Sequence, residues 1–493
     1  MPKGILTAGI ALLCLTGCTL GPVYRQPKID LPKKWPEHVL TSEDTLKSWK
    51  EWWMRFDDPT LDLLVVRALD ANLDIRLQAD RIREAHARLG LATANRFPTV
   101  DLQAQASRER YPGATLGLES GSLGEDSSIT QNLFSVSGML GYEVDLWGRL
   151  AREQESAEAL LVQSAFAHDA VRLNVVADVA TTYSSLLAAQ RELAITKRTL
   201  ESRKETLLLE KARYEEGASD EFTLRQAQSE LAGVRALIPL RLERVRVLES
   251  ALAVLVGMEP AEMFSKLDFG NKRLTFLRLE AAVPRSLPSD LLRRRPDIRA
   301  AEAGLIATTA DIGVAIAERF PRLDLASFVG STASATGDMF TDPSKAWGVT
   351  ASVFGPLIDF GRNRARVMTA KALRDQAETQ YRITVTTAFQ EVRDALVVYG
   401  TSTDRALAVA RQVRALRDTF KLAKIRYQEG SIVFLEVLDT ERAILDAELG
   451  LTQAIRDRLN AAATLFKAMG GGWEAPSSLY GVSLPLAPPA LSR

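Results

Sequence analysis

The sequence predicts a mainly α-helical α+β protein built from two copies of one unit, with long helical hairpins and four β-strands per chain. Three observations predict it. Short motifs recur in order at nearly constant offsets. Two stretches of about 67 residues are almost free of Gly and Pro, the residues that interrupt helices. Between these stretches and shorter helical segments, apolar and polar residues alternate with period two, the signature of strands with one face buried.

The duplication is read from the motifs. "NRFPTVDL" at Asn95–Leu102 returns as "ERFPRLDL" at Glu318–Leu325. At the same offset of 223 positions, Asp74-Ile75-Arg76 falls on Asp297-Ile298-Arg299 and Gly90 on Gly313. At an offset of 213, the glycine of "GRLAR" (Gly148) meets that of "GRNRA" (Gly361), and "ARYEEG" ending at Gly217 meets "IRYQEG" ending at Gly430. The ten-residue difference sits in one intervening loop. Ordered matches across a whole half are the mark of an internal repeat. The copies span 60–258 and 285–470, with 259–284 between them and 471–493 after them.

Each copy opens with a helix of about 35 residues, Leu61–Asn95 in the first and Pro296–Arg319 after a short lead-in in the second. It closes at Phe-Pro, because proline disfavours helix at the preceding residue. Two strands follow, then the long helix, Arg149 to Glu216 or Arg362 to Glu429, the latter interrupted only by Gly400. At 1.5 Å per residue, such a helix is about 100 Å long. Leu160-Leu161, Val171, Val175-Val176, Val179 and Leu186-Leu187 recur at spacings that bury one face. Gly217 and Gly430 then supply the left-handed residue of a helix end. A return helix of about 36–40 residues ends near Gly257 or Gly470. The two shorter helices of a copy, stacked end to end, match the long one.

The strands place Val100, Leu102, Ala104 and Ala106 opposite Asp101, Gln103, Gln105 and Ser107. In the second strand Phe134, Val136, Leu140, Tyr142 and Val144 lie opposite Ser135, Ser137, Glu143 and Asp145. Leu323, Leu325 and Val329, then Val349, Ala351 and Val353, repeat the pattern in the second copy. Strands of about 9–11 residues with one apolar face fit outer-membrane barrels, but a soluble half-buried sheet alternates identically. The segments "YPGATLGLESGSLGEDSS" and "TASATGDMFTDPSKA" read as polar loops outside a membrane. Four strands cannot close in lipid, where an open edge leaves backbone groups unpaired. Two chains would give eight strands and three would give twelve. The larger lumen and the long helical wall favour three chains and a conduit.

The N-terminus reads as a secretory signal over 1–17: Lys3, the apolar run Ile5 to Leu15, then Leu15-Thr16-Gly17-Cys18, similar to the lipobox of bacterial lipoproteins. Cys18 would take lipid, and Cys14, the other of two cysteines, would leave with the signal. No disulfide is then expected. Thr19 lacks the aspartate associated with inner-membrane retention, which points outward. The 18–59 segment, with many prolines from Pro22 to Pro36, reads as an extended lead from lipid to body.

Equal numbers of basic and acidic residues, 62 of each, offer no electrostatic footprint for nucleic acid. Three histidines, His38, His86 and His168, lie in separate segments without metal-ligand spacing. No phosphate loop or nucleophile elbow appears. Neither an enzyme nor a cofactor beyond the lipid is expected. A lipid-anchored periplasmic coiled-coil scaffold accounts for the helices and the lipid but not for the four strands.

Together the lipobox with "GPVYRQP", "EVDLWGR", "RRPDIRAAE", "ERFPRLDL", "LIDFGR" and "RYQEG" resemble the TolC-like outer-membrane efflux factors, in particular their lipoprotein branch of OprM- and NodT-type proteins. The resemblance covers nearly all of 18–470. It implies a homotrimer with a twelve-stranded β-barrel in the Gram-negative outer membrane, a periplasmic α-barrel and a mixed equatorial collar. Met258 to Pro288, with Phe264, Phe269 and the run Leu274 to Leu279, and the end from Trp473 would lie in that collar. It implies an exit duct for small molecules, with a periplasmic adaptor (membrane fusion) protein and an inner-membrane pump of the RND type as partners. The helix turns at Arg213, Tyr214, Gly217, Arg426 and Gly430 would meet the adaptor. A periplasmic gate would use Tyr427 with Glu436 and Asp439, whose spacing of three puts both carboxylates on one helix face. Solvated outer-face carboxylates are the alternative. Where some members have a basic residue two past the second turn glycine, this chain has Ile432.

Overall fold

The computed structural model describes residues 19–32, 41–42, 51–112, 128–263, 269, 283–284, 291–471, 478–479 and 482–483. The expected signal, Cys18, most of the first polar loop, Phe264, the Leu274 to Leu279 run and the tail from Trp473 lie wholly or largely outside them. The chain divides into two compact units. One comprises Met1–Pro27, Arg83–Leu161 and Glu302–Gln380; the other comprises Lys28–Ile82, Val162–Ala301 and Tyr381–Arg493.

In chain order the main elements are α1 (Pro59–Ala71), α2 (Leu73–Ala94), β1 (Thr99–Pro112), β2 (Ser128–Val144), α3 (Arg149–Glu215) and α4 (Glu221–Leu255). The second copy follows with α5 (Pro296–Ala317), β3 (Arg322–Ala333), β4 (Lys345–Phe354), α6 (Arg362–Gln428) and α7 (Phe434–Ala468). Both α3 and α6 have 67 residues, the length expected. By composition α5 is long and apolar enough to cross a membrane, but half of its apolar window is buried and it carries Asp311 mid-helix.

The first unit holds one four-stranded antiparallel sheet in the order β1-β2-β3-β4. Val100 faces Leu140, Tyr142 faces Leu325, and Leu323 faces Val353. Directly opposite residues share a face, so this register gathers the apolar set of all four strands on one side. The polar set, Asp101, Gln103, Ser137, Asp324 and Thr350, falls on the other. At 14 and 17 residues, β1 and β2 exceed the expected length. Among the described residues only β2 and β3, the two central strands, are paired on both sides, and β1 and β4 are edges. On the polar side the Phe328 ring lies over Gly348, where an added Cβ would come within 2.6 Å of it.

The N-terminal lead is held at the foot of β2. Leu20 N–H donates to the Trp147 carbonyl (3.1 Å), and Arg152 Nε donates to the Leu20 carbonyl (3.1 Å). Tyr24 Oη donates to Glu302 (2.9 Å). Three glycines make the close approach feasible: a Cβ on Gly21 would lie 2.5 Å from Gly313 Cα, and one on Gly148 would lie 2.7 Å from Thr19 Cα. Residues 19–32 contain neither helix nor strand, whereas Trp52–Phe56, inside the 18–59 segment expected to be extended, form a short 3-10 helix.

In the second unit, α3 buries Leu161's successors Val175, Val176, Val179, Leu186 and Leu187 against Trp52, Leu61, Leu252, Leu459 and Phe466. The Trp52 and Phe466 rings stack at 5.3 Å. Of the predicted apolar positions, Leu160, in the first unit, is instead exposed. Phe269, expected in the collar, belongs to this core. Asp58 caps α1 through the Thr60 N–H (2.8 Å) and accepts from the buried Tyr183 hydroxyl (2.9 Å). The tyrosine's pKa is raised, first by burial and then by that carboxylate.

The opening helix of the first copy is broken where the sequence predicts one piece, whereas in the second copy the sequence places the helix start at Pro296 after a short lead-in, which is where α5 begins. The break is at Asn72, whose Oδ1 caps α2 through Asp74 N–H (2.9 Å) while Nδ2 donates to the Leu255 carbonyl (2.9 Å). The equivalent boundary is at Arg295, whose Nη1 donates to the Ala468 carbonyl (3.0 Å). Both are the same contact at equivalent positions, and each ties the end of a return helix to the start of α2 or α5. Gly257 completes the first joint with φ +67 and no room for a side chain, a Cβ falling 2.2 Å from the Ala71 oxygen. Gly217 has φ +74 but open space. Gly217→Ala is therefore expected to cost only the left-handed penalty of about 1–2 kcal/mol, whereas Gly257→Ala adds a clash with backbone. Thermal melts of the helical circular-dichroism signal should rank Gly257→Ala clearly below Gly217→Ala.

Candidate functional site: the paired helix turns

The long helices end alike. After α3, Gly217 N–H donates to the Tyr214 carbonyl (3.0 Å) and Ala218 N–H to the Arg213 carbonyl (2.7 Å). After α6, Gly430 N–H donates to Tyr427 (3.0 Å) and Ser431 N–H to Arg426 (2.9 Å). These are two Schellman ends, each with a left-handed glycine. The glycine of the repeated Arg-Tyr-x-x-Gly motif thus has a backbone cause, since it lets the carbonyls of the Arg and Tyr positions close the helix. Starts of the return helices differ. Asp220 caps α4 through Thr223 N–H (2.7 Å), which holds its carboxyl below the usual range. Val433 precedes α7 without a side-chain cap.

The two turns meet through side chains that have diverged between the copies. Tyr427 is 8% exposed, whereas its counterpart Tyr214 is 41% exposed. The Tyr427 hydroxyl donates to Glu210 Oε1 (2.6 Å), and the Arg213 guanidinium lies 4.8 Å from the Tyr427 ring centroid. Phe434 packs on the same ring (5.7 Å), with Ala227, Val437 and Leu438 completing a small core. Burial, then the Glu210 hydrogen bond, raises the Tyr427 pKa, so the phenol stays protonated as a donor. Glu210 is fully buried and also accepts from Ser219 (3.3 Å). Ile432, two past the second turn glycine, packs against this core as an apolar contact.

Glu436 and Asp439 occupy the first turns of α7, and both are exposed. Asp439 pairs with Arg442 (3.4 Å), which also binds Glu230 of α4. Among the described residues Glu436 makes no ion pair. Of the eight residues singled out around these turns, the structure therefore joins Tyr427 with Arg213 and leaves Tyr214, Arg426, Glu436 and Asp439 facing outward. Arg213, expected to face an adaptor, is engaged with the Tyr427 ring.

Behind the turns lies an ionic layer that sequence reasoning missed. Arg203 is 2% exposed, with Nη1 3.1 Å from Glu441 and Nη2 3.6 Å from Glu230. Ser202 Oγ donates to Glu441 (2.8 Å). Further along, Glu192 receives Arg241 (2.6 Å), and Glu448 receives Arg417 (2.7 Å) and Arg198. Charges at these depths survive only when paired. The sequence carried a signal not for this layer but for the Tyr427 contact: at the 213 offset, the acid Glu210 falls on Ala423, so the copies differ where one tyrosine finds its partner.

The model of the family described as outer membrane efflux protein matches this chain twice, over residues 64–258 and 287–471. The chain belongs to the outer membrane efflux protein family. It is similar to the solvent efflux pump outer membrane protein SrpC of Pseudomonas putida, 33% identical over 471 residues, 94% of this chain and 97% of that protein. It is also similar to the outer membrane protein OprJ of Pseudomonas aeruginosa, 31% identical over 474 residues, 96% of this chain and 97% of that one. Among solved structures, the outer-membrane channel OprN superposes with a TM-score of 0.84 at 32% identity, covering 92% of this chain and all of that one. The efflux-channel family assignment accounts for the duplicated fold, and with it the chain is an outer-membrane channel protein of efflux. The family is one of channels rather than of enzymes.

Proposed function

We propose that this efflux channel works as a lipid-anchored trimer, the exit duct of a tripartite system. In this reading it receives small molecules from a periplasmic adaptor and an inner-membrane pump of the RND type. The observation that carries it is the open sheet: four strands, apolar on one face, polar on the other, with neither edge paired among the described residues. In lipid each unpaired backbone group costs several kcal/mol, so copies of the chain must complete the wall. Three copies give twelve strands, and the polar faces then line a lumen.

Lipid on Cys18 fits the path of the chain. Leu20 is hydrogen-bonded to Trp147 and Thr19 lies against Gly148, at the foot of β2. That is where membrane strands give way to helix, and tryptophan is enriched at membrane–water interfaces. An acyl group one residue upstream would enter the same leaflet that the strands cross. Several acyl chains anchor firmly, at about 0.8 kcal/mol per buried CH₂. Cys18→Ser is expected to shift most of the protein out of the outer-membrane fraction; full retention of that variant removes the anchor.

At the turns we assign a gate to Tyr427, Glu436 and Asp439, with Arg213, Tyr214, Gly217, Arg426 and Gly430 forming the surface that an adaptor meets. Repeated by symmetry, the exposed Glu436 and Asp439 make acidic rings that favour cations. Purified protein that migrates as a trimer on an unboiled gel and conducts ions across planar bilayers supports the duct. A water-soluble monomer or dimer after removal of the lipid supports the scaffold instead.

A further inference from the structure

The two offsets that align the copies also govern strand pairing. Thr99 faces Gly141 in the first copy, and the positions 223 and 213 further on, Arg322 and Phe354, face each other in the second. The copies also join. Across the β2–β3 seam Val144 faces Leu323 and Ser137 faces Gly330. Below that seam Trp147 stacks on Phe320 at 4.8 Å and donates from Nε1 to the Pro321 carbonyl (2.7 Å).

The other end of each copy lacks its half of the same arrangement. Phe360 is the counterpart of Trp147 and is 99% exposed; Phe97 is the counterpart of Phe320 and is 65% exposed. Phe360 also sits at φ +50, a costly conformation for a bulky residue that persists only where its surroundings hold it. Asp359 holds the turn by accepting from Gly361 and Asn363 N–H (2.9 and 3.0 Å). The ring itself stands in the open.

We infer that a second copy of this chain lays its β1 against β4 as the image of the β2–β3 seam. Thr350 then faces the partner subunit's Ser107, Val353 faces the partner subunit's Ala104, and Phe360 stacks on the partner subunit's Phe97. This rests on the proposal that copies of the chain close the sheet, and it adds the register and the lock. Two features that did not enter the mapping agree with it. The register keeps the apolar faces continuous, since Val353 and Ala104 both lie on the apolar side, whereas a slip of one residue would set Val353 against a glutamine. It also brings Lys345, the first residue of β4, opposite Pro112, the last residue of β1, so the two edges end together.

Cysteine pairs test it in the full-length protein, purified from membranes and oxidised. Within one chain β1 and β4 are three strand spacings apart, about 14 Å, too far for a disulfide, whereas directly opposite residues are within reach. Ser107→Cys with Thr350→Cys is expected to give covalent oligomers from most chains. Gln105→Cys or Glu109→Cys with Thr350→Cys, displaced by two residues, should give several-fold less. Stronger cross-linking of a displaced pair overturns the register while leaving closure intact. No cross-link from any pair in protein that remains oligomeric overturns pairing between these edges. Protein with no oligomer in the unmodified chain overturns closure itself. For the lock, Phe97→Ala and Phe360→Ala should each lower the temperature at which the unboiled oligomer dissociates, and the double variant should fall no further than the worse single one. Additive losses overturn the stacking.

Discussion

Replacing Arg203 with methionine is expected to loosen the ends of both helical hairpins while leaving the strands unchanged. The guanidinium faces two carboxylates, Glu441 and Glu230, from a position almost sealed from water. Glu230 keeps Arg442 as a second partner, but Glu441 retains only the Ser202 hydroxyl. Removing one member of a buried pair costs about 3–5 kcal/mol, chiefly because the survivor stays charged out of water. Hydrogen exchange should therefore accelerate strongly in α3 after residue 200 and at the start of α7, with β1–β4 as the internal control. Adding Glu441→Gln should recover part of the loss, because the stranded charge is then gone. Unchanged exchange in Arg203→Met would mean that water already reaches the pair.

The second large effect concerns conduction. Tyr427→Phe removes the donor to Glu210 and leaves a fully buried carboxylate with only the Ser219 hydroxyl at 3.3 Å. A buried acceptor deprived of its partner costs about 1–3 kcal/mol, enough to shift a closed turn toward an open one by roughly tenfold. Single-channel conductance, or its open fraction, should rise. Glu436→Ala with Asp439→Ala acts differently: it leaves the small core intact and strips charge from the surface. Its expected signature is weaker cation preference, read from reversal potentials under a salt gradient. Conductance and selectivity indistinguishable from the parent would remove these residues from the gate.

Much of this arrangement was legible in the residues. Gly217 and Gly430 marked the helix ends to within two residues, because a left-handed terminus needs glycine whatever surrounds it. The strands were legible because their period of two survives independently of which strand pairs with which. The boundary before Pro296 was legible from its proline, but the break at Asn72 was not, because apolar spacing continues through it and its side chain answers to a carbonyl 183 positions along the chain. The ionic layer was hidden for the same reason. Tyr427 and Glu210 are 217 positions apart, and nothing local distinguishes a buried arginine such as Arg203 from a solvated one on a helix of mixed charge. Likewise Tyr214 and Tyr427 read alike in sequence, and only packing separates them.

A sheet unpaired at both margins has a genetic consequence. Each chain in a closed ring depends on two neighbours, so a chain damaged at one margin spoils whichever ring it enters. If intact and damaged copies were made in equal amounts and mixed freely, about one ring in eight would be sound for a ring of three. Damage confined to β1 or β4 should therefore behave as a dominant lesion in a cell carrying both alleles.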